Sequence, residues 1–571
     1  MRMSPLKSDS SLGGVILSKA KDPILLFLTL AALLPVAMPA APTPAFSSAN
    51  ILADTKVLSS DEFEGRAPGS VGEEKTVAFL TERFKKLGLQ PGNPDGTFVQ
   101  NVPLVGITSD PKLSFALDGQ TLVLENVNDF VGPSSRIVPE VAGKDTDVVF
   151  VGYGVVAPEY GWDDYKGVDV KGKTVLMLVN DPPVTKADGS IDDAMFKGKA
   201  MTYYGRWTYK YEIAAEKGAA ACLVIHETAP ASYPFAVIVG SRSRENFEIA
   251  ALDGNITHVG MEGWLTVDAA RRLFTSAGKD FDALKASAAR RDFQPVTLPA
   301  KASFQVSNLL RNVASKNVVA LLPGSDPKLK NEYVIYTAHW DHLGKDDRLP
   351  GDKIYNGAAD NAAGTAVLLE LARVYSSLPA DQRPKRSILF LAVTAEEKGL
   401  LGSRYYAQNP LYPLDHTLAN INMDGANQFG PTSDMATVGF GASTIDDIGI
   451  AVARAQGREM RAEAHPERGS YFRSDHFEFA KVGVPSYYPK NGQTYIGLPA
   501  DFAEKQATDY IANRYHKVTD EVQPDWTFAG AAQDSAFLYE VGLRIANGAA
   551  WPEWKPGSEF KAKRDAMLHA P

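Results

Sequence analysis

A single cysteine, Cys222, stands in the whole chain, so no intrachain disulfide can form. It lies in the apolar run AAACLVIH, where a thiol packs as a small hydrophobe. Surplus positive charge is missing too. The net charge is −9, and the basic clustering of a nucleic-acid footprint is absent. There is no GxSxG elbow and no HExxH helix, which removes the two commonest sequence signatures of a serine hydrolase and of a helix-borne zinc site. No stretch is apolar for the roughly 20 residues that a membrane-spanning helix needs. There is no internal repeat and no low-complexity tract. What remains is a 571-residue globular composition, 44% hydrophobic and 22% charged, long enough for two or three domains.

Residues 1–45 have the order of an export signal. Arg2, Lys7, Lys19 and Lys21 precede an eleven-residue apolar run, Ile24 to Leu34, and then the small-residue stretch AMPAAPTPA. Cleavage after Ala41 or Ala45 is expected, and with it a periplasmic or secreted protein with no stable membrane insertion beyond that signal. Residues 46–145 begin the next domain. Val77, Leu80, Phe84 and Leu87 fall on one face of a helix over Thr76–Leu87, stopped by Gly88. The turn Glu64-Gly65-Arg66-Ala67-Pro68-Gly69 is assigned packing and no chemistry. Residues 146–295 change texture, becoming rich in Val, Gly and aromatics, and read as an inserted β-rich module. Within it Gly167 to Thr174 fits the phosphate-loop pattern GxxxxGK[ST]. Val175–Val179 follows at once as a strand, so a turn is expected there and not a phosphate cradle. Residues 296–551 alternate strands (Asn317–Leu322, Val334–Thr337, Ile388–Val393, Ala419–Met423, Thr437–Gly439, Val484–Tyr488) with helices (Ala362–Leu378, Ser403–Gln408, Ile445–Gln456, Phe528–Asn547). Such alternation argues for an α/β sheet with helices on its faces. Residues 552–571, with two prolines and many charges, are expected to be a loose tail.

The stretch Tyr333–Asn361 draws the chemistry together. A β-branched strand ends in His339-Trp340-Asp341-His342, a polar loop follows, and Asp360-Asn361 opens a helix in which Val367, Leu368, Leu371 and Val374 recur at helical spacing. Ligands of open α/β sheets sit beyond the carboxyl ends of the strands. The same holds for Glu396-Glu397 after SILFLAVTA, for Asp424 after LANINM, and for His516 in NRYHKVTDE. One such histidine is usually structural, but His and carboxylates at five strand ends of one sheet point to a metal centre. Imidazole with carboxylates suits zinc, with manganese or cobalt as substitutes. Two His, two Asp and one Glu carry −3, which suits two divalent ions and a hydroxide better than one ion. Ser474-Asp475-His476 is not a catalytic triad, since adjacent residues do not form that relay without a special turn. It either shapes the substrate site or is structural. The aromatic cluster Tyr203, Tyr204, Trp207, Tyr209 and Tyr211, with Arg206, is expected to be mostly interface packing that could also rim the cleft.

With AHWDHLG, GAADNAAGTAV, TAEEKGLLGS, NMDG, SDHFEF and YHKVTDE in this order, the chain resembles the co-catalytic zinc aminopeptidases, family 28 of the metallopeptidases. The resemblance implies a mixed-sheet zinc-exopeptidase fold with helices on both faces and, over the insert, a protease-associated domain. It implies two Zn²⁺: His339 and Asp424 on one, Glu397 and His516 on the other, Asp360 bridging. It makes Glu396 the general base acting on a metal-bridging hydroxide. Asp341 then orients His339, and Tyr515 supports the oxyanion. The expected activity is removal of N-terminal residues from peptides. The alternatives are a carboxypeptidase or dipeptidase of the same fold, for which Arg206 or Arg473 could hold the terminal carboxylate, or a non-catalytic receptor-like member.

Overall fold

The computed structural model describes residues 44–569, and the expected export signal lies almost wholly outside them. In chain order the elements used below are α1 (Ser48–Leu58), α2 (Val71–Lys86), β1 (Val99–Leu117), β2 (Glu140–Phe150), β3 (Thr174–Leu178), α3 (Trp207–Glu216), β4 (Ala221–His226), β5 (Met261–Thr266) and β6 (Val296–Leu322). There follow β7 (Tyr333–His339), α4 (Ala363–Ser376), β8 (Ser387–Val393), α5 (Leu401–Gln408), β9 (Thr417–Asn422), β10 (Asp434–Val438), β11 (Glu459–Ala462), α6 (His476–Lys481), β12 (Ser486–Lys490), α7 (Phe502–Asn513), α8 (Ala529–Asn547) and α9 (Lys561–Leu568).

Strands β7, β8 and β9 are buried at every residue. That is the state of parallel strands covered on both faces, and it explains why they read as unbroken apolar runs. β7 pairs in parallel with β8 on one side and β9 on the other. Parallel neighbours need a crossover, which α4 supplies between β7 and β8. Alternate side chains then serve opposite layers. Val334, Tyr336, Ala338, Ile388 and Phe390 join one core with residues of α1, α4 and α8. Ile335, Leu389, Leu391 and Val393 meet Tyr406 of α5 and Phe479 of α6 on the other face. The fold is therefore a mixed α/β sheet with helices on both faces. Its order through this region is β11-β10-β12-β9-β7-β8-β6. The β10–β12 and β8–β6 pairings are antiparallel.

The sheet does not stop at β6. That strand runs unbroken for 27 residues. Its last residues, Val318–Leu322, pair with β8, while Val296–Ser307 pair with β2, and β2, β3, β4 and β5 continue in parallel. β1 lies antiparallel along β6 from Ala300↔Leu117 to Val318↔Val99. A second core forms over the inserted region. It draws on Leu113, Phe115 and Leu117 of β1 and on Leu298 to Val306 of β6, so the packed module reaches beyond residues 146–295 on both sides. Thr174 opens β3 directly after a turn, and no helix follows for a phosphate to cap. Cys222 is buried in β4.

The loose tail is not observed. Trp554 is buried and its indole N–H donates to the Gly483 carbonyl at 2.8 Å. Arg564 of α9 donates to the carbonyls of Leu414 and Thr417. A bulky indole and a guanidinium planar fork secured this segment despite its charge, because both found main-chain acceptors. No helix among the described residues is long and apolar enough to cross a membrane.

Candidate metal centre

His339 is the last residue of β7 and is fully buried. Its Nδ1 lies 3.2 Å from the main-chain carbonyl of Asp341, which fixes Nε2 toward the space beyond the strand ends. Asp360 faces the same space from the entrance of α4. Its Oδ1 is 3.3 Å from His339 Nε2 and its Oδ2 is 3.5 Å from His516 Nε2, so one carboxylate spans two imidazoles. Asp424, just past β9, places Oδ1 3.8 Å from His339 Nε2. Glu397, just past β8, places Oε2 3.1 Å from His516 Nε2. Glu396 Oε2 stands back at 4.0 Å from His339 Nε2. These six carboxyl and imidazole side chains thus converge on one point of the sheet.

These are not ordinary hydrogen-bonded pairs. His339 Nε2 is buried yet makes no hydrogen bond. Tetrahedral Zn–N and Zn–O bonds of about 2.0–2.1 Å give ligand–ligand edges of roughly 3.3 Å, the range seen here. The donor set, imidazole and carboxylate with no thiolate, fits zinc. Two groups have their donor atoms within 4.8 Å of one another: His339, Glu396 and Asp424, and His342, Asp360 and Glu397.

The electrostatics follow from crowding. Burial drives the Glu396 carboxyl well above its ordinary value, reinforced by Glu397, Asp424 and Asp475. Burial also opposes charge on Asp360, but His339 and His516 outweigh it and hold that carboxylate well below the usual range. Burial disfavours protonated His339 as well, but Glu396, Asp341, Asp360 and Asp424 outweigh it and raise it well above normal.

Several supports were not legible in the sequence. His342 Nδ1 holds Glu397 Oε1 at 2.6 Å, so it positions that carboxylate. Asp520, inside the motif YHKVTDE, accepts from the main-chain N–H groups of Ala359 and Asp360. Arg66, passed over as part of a turn, is fully buried. Its guanidinium donates to the carbonyls of Leu58, Trp340, Asn356 and Gly357, and so clasps both ends of the loop between β7 and Asp360. Only its spacing from an apolar helix hinted at burial, and its partners are main-chain atoms, which leave no mark in a side-chain motif.

Two expected roles are sharpened. The Asp341 carboxylate lies 3.7 Å from His339 Nδ1, beyond hydrogen-bond range. Its Oδ1 instead accepts the Glu396 N–H at 3.0 Å, so it also fixes the turn that carries the two glutamates. Tyr515 stacks on His516 with ring centroids 4.0 Å apart, and its hydroxyl accepts from Arg473 Nη2 at 2.9 Å. Ser474, Asp475 and His476 point to three different neighbours. Ser474 Oγ accepts from Asn422, Asp475 accepts from Ser403, and His476 packs between Tyr471 and Tyr488. No relay exists among them.

The centre opens into a cavity of about 1050 Å³ whose other wall is the inserted module. Tyr203 packs on Phe472 and Phe477, the interface expected of the aromatic cluster, while Tyr211 turns inward and donates to the Gly263 carbonyl. Arg206, Trp207 and Tyr233 line the cavity from the insert side.

A profile described as "Peptidase family M28" matches residues 317–539, the stretch that contains all seven candidate site residues up to His516 and Tyr515 besides. Residues 317–539 are thus similar to peptidase family M28. The chain is similar to aminopeptidase NAALADL1 of Mus musculus, 37% identical over 134 residues, 22% of this chain and 16% of that protein. It is also similar to aminopeptidase YwaD of Bacillus subtilis (strain 168), 36% identical over 116 residues, 20% of this chain and 22% of that one. These matches therefore span less than a quarter of the curated relatives' own length. Among solved structures, the aminopeptidase from Aneurinibacillus sp. strain AM-1 aligns over 88% of this chain and 94% of its own at 20% identity and a TM-score of 0.46. A zinc aminopeptidase from Bacillus subtilis aligns over 88% and 96% at 18% identity and a TM-score of 0.43.

Proposed function

We propose that the protein is a zinc-dependent exopeptidase, an aminopeptidase that hydrolyses the N-terminal residue of peptides. The observation that carries this reading is Asp360, whose two oxygens are shared between His339 and His516 while Asp424 and Glu397 complete a donor set on either side. That arrangement would hold two ions, His339 and Asp424 on one, His516 and Glu397 on the other. When bound, such ions acidify a water and polarise the scissile carbonyl.

The chain's own residues supply the proton traffic. Glu396 stands farther from His339 Nε2 than Asp360 or Asp424, at 4.0 Å, and its buried, acid-rich surroundings raise its affinity for a proton. It takes the proton of the attacking water and delivers it to the leaving amine, a transfer worth roughly 10²–10⁴-fold. Asp341 positions it through the Glu396 N–H. Tyr515 accepts from Arg473, which leaves its phenolic proton free to donate to the developing oxyanion. The inserted region acts as a protease-associated domain that walls the cleft. Export is inferred from residues 1–45 and is checked by fractionating the producing cells.

The experiment is a peptide library with and without N-acetylation, run in the presence and absence of a chelator. Cleavage that needs both a free amino terminus and the metal supports the aminopeptidase reading. Cleavage that survives N-acetylation turns it toward a carboxypeptidase, and cleavage indifferent to chelation rejects the metal centre.

A further inference from the structure

Arg473, which holds the Tyr515 hydroxyl, is carried by the loop between β11 and α6. The regular structure of that loop is limited to two short 3₁₀ turns, Pro466–Arg468 and Ser470–Phe472. Such a loop keeps one shape only where other segments pack on it. The insert and the C-terminal segment both do so. The insert brings the Tyr203 ring to 5.7 Å from Phe472 and 5.2 Å from Phe477, and its Met201 N–H donates to the Pro466 carbonyl at 3.0 Å. The C-terminal segment brings Phe560. Its ring stacks on Tyr471, with centroids 5.9 Å and planes 19° apart, and lies 6.3 Å from Phe477. Leu400, Phe472 and Phe477 form a small apolar cluster of their own, and Tyr203, Tyr471 and Phe560 pack against it.

Phe560 is itself held from both sides. Before it, the Glu553 N–H donates to Thr444 Oγ1 at 2.9 Å and the Lys555 N–H to the Ala442 carbonyl at 2.9 Å. Trp554 is buried there, its ring 5.1 Å from that of Phe560. After it, Arg564 is bound to the carbonyls of Leu414 and Thr417. The loop therefore leans on a fixed ring. The ion pair between this segment and the insert, Lys197 with Glu559, spans 4.0 Å between half-exposed groups, and such pairs contribute little. Aromatic packing is what joins the segment to the loop. Phe560 does not line the cavity, and it lies beyond residue 539, where the similarity to family M28 ends.

We propose that Phe560 is a positioning residue. With Tyr203 opposite, it wedges the Ser470–Phe472 turn and so sets Arg473 against the Tyr515 hydroxyl. The proposal rests on the peptidase reading, in which Tyr515 donates to the developing oxyanion. That contact is made only in the transition state, so a displaced Tyr515 lowers kcat and leaves substrate binding in place. The C-terminal segment thereby takes part in the chemistry without touching the substrate.

Amide hydrogen exchange read by mass spectrometry tests it without turnover. In Phe560→Ala the amides of residues 465–473 are expected to exchange at least about tenfold faster, and those of β7 and β8 at the unaltered rate. Phe560→Tyr keeps the ring and is expected to keep the slow exchange. Unchanged exchange over 465–473 in Phe560→Ala overturns the proposal, as does an equal acceleration in β7 and β8, which marks a general loosening. Kinetics then follow the path to Tyr515. Phe560→Ala is expected to lower kcat on a peptide with a free amino terminus by about tenfold and to change KM by less than about twofold, since small displacements caused far from the chemistry can cost up to about 10²-fold. In a Tyr515→Phe background the same substitution is expected to change kcat by less than about twofold, because the two act on one contact. An undiminished kcat in Phe560→Ala overturns the proposal. So does a loss as large in the Tyr515→Phe background as in the unaltered protein. If the unaltered protein cleaves no peptide while exchange over 465–473 still depends on Phe560, the peptidase reading falls and the hold of Phe560 on the Arg473 loop does not.

Discussion

Glu396 and Glu397 are neighbours with opposite duties, and geometry separates them where sequence order could not. Glu397 is gripped by His342 and faces His516, whereas Glu396 stands off at 4.0 Å from His339. Replacing Glu396 by Gln keeps its size and removes its basicity. The expected outcome is a kcat lower by at least about 10²-fold, with unchanged zinc content by mass spectrometry. Near-normal turnover would move the base elsewhere. Arg66 makes a different kind of contribution. Its four main-chain acceptors are buried, so Arg66→Met leaves carbonyls without donors. Each buried unsatisfied group costs about 1–3 kcal/mol, which puts the total loss in urea denaturation at no less than about 3 kcal/mol. Weaker zinc retention should accompany it, because the clasped loop leads to Asp360.

At the scale of elements, the entrance of α4 is held by a set of close main-chain contacts. Asn361 Oδ1 accepts from the N–H groups of Gly364 and Gly425, and its Nδ2 donates to the Met423 carbonyl. A Cβ at Gly364 would fall 2.1 Å from Asn361 Oδ1. Gly364→Ala should therefore push Asn361 off its partners, destabilise the protein by about 1–3 kcal/mol and lower zinc affinity, since Asp360 is the adjoining residue. Thermal melts with and without zinc would show it, and a variant with unaltered zinc-dependent Tm would refute the coupling. The strands and helices around this turn were readable because their apolar periods are long and buried. Only the last six residues of β6 carry a strand signal in the sequence, since its first half alternates with exposed polar positions and the two halves serve different cores. α7 leaves no signal in the sequence. It has no fully buried residue, so it carries no apolar stripe, yet it delivers Tyr515 and His516. The ligand types were legible because side chains carry them. The supports were not, because Arg66 and Asp520 act on main-chain atoms.

For the whole molecule, stability should depend on pH through a buried carboxyl that is not among the candidate ligands. Asp446 is buried, accepts from the N–H groups of Gly441 and Ser443, and is raised to about 6, first by burial and despite Lys555. Its folded value exceeds its unfolded one, so the folded state binds the extra proton. Its contribution is complete below the unfolded value and is lost as pH rises from about 4 to about 6. The Asp446→Asn variant should lack that decline, so its stability relative to the unaltered protein should rise by about 1–3 kcal/mol across that interval. Parallel urea melts at the two pH values would reveal the difference, and parallel slopes would rule it out. At this same scale β1 and β6 lie side by side across both cores. Mechanically they are a beam and not a tether. A linker lets two bodies swing freely, whereas a paired ribbon yields only by bending and twisting along its length. The insert that walls the cavity is thereby joined to the rest of the sheet by paired strands and not by a free linker.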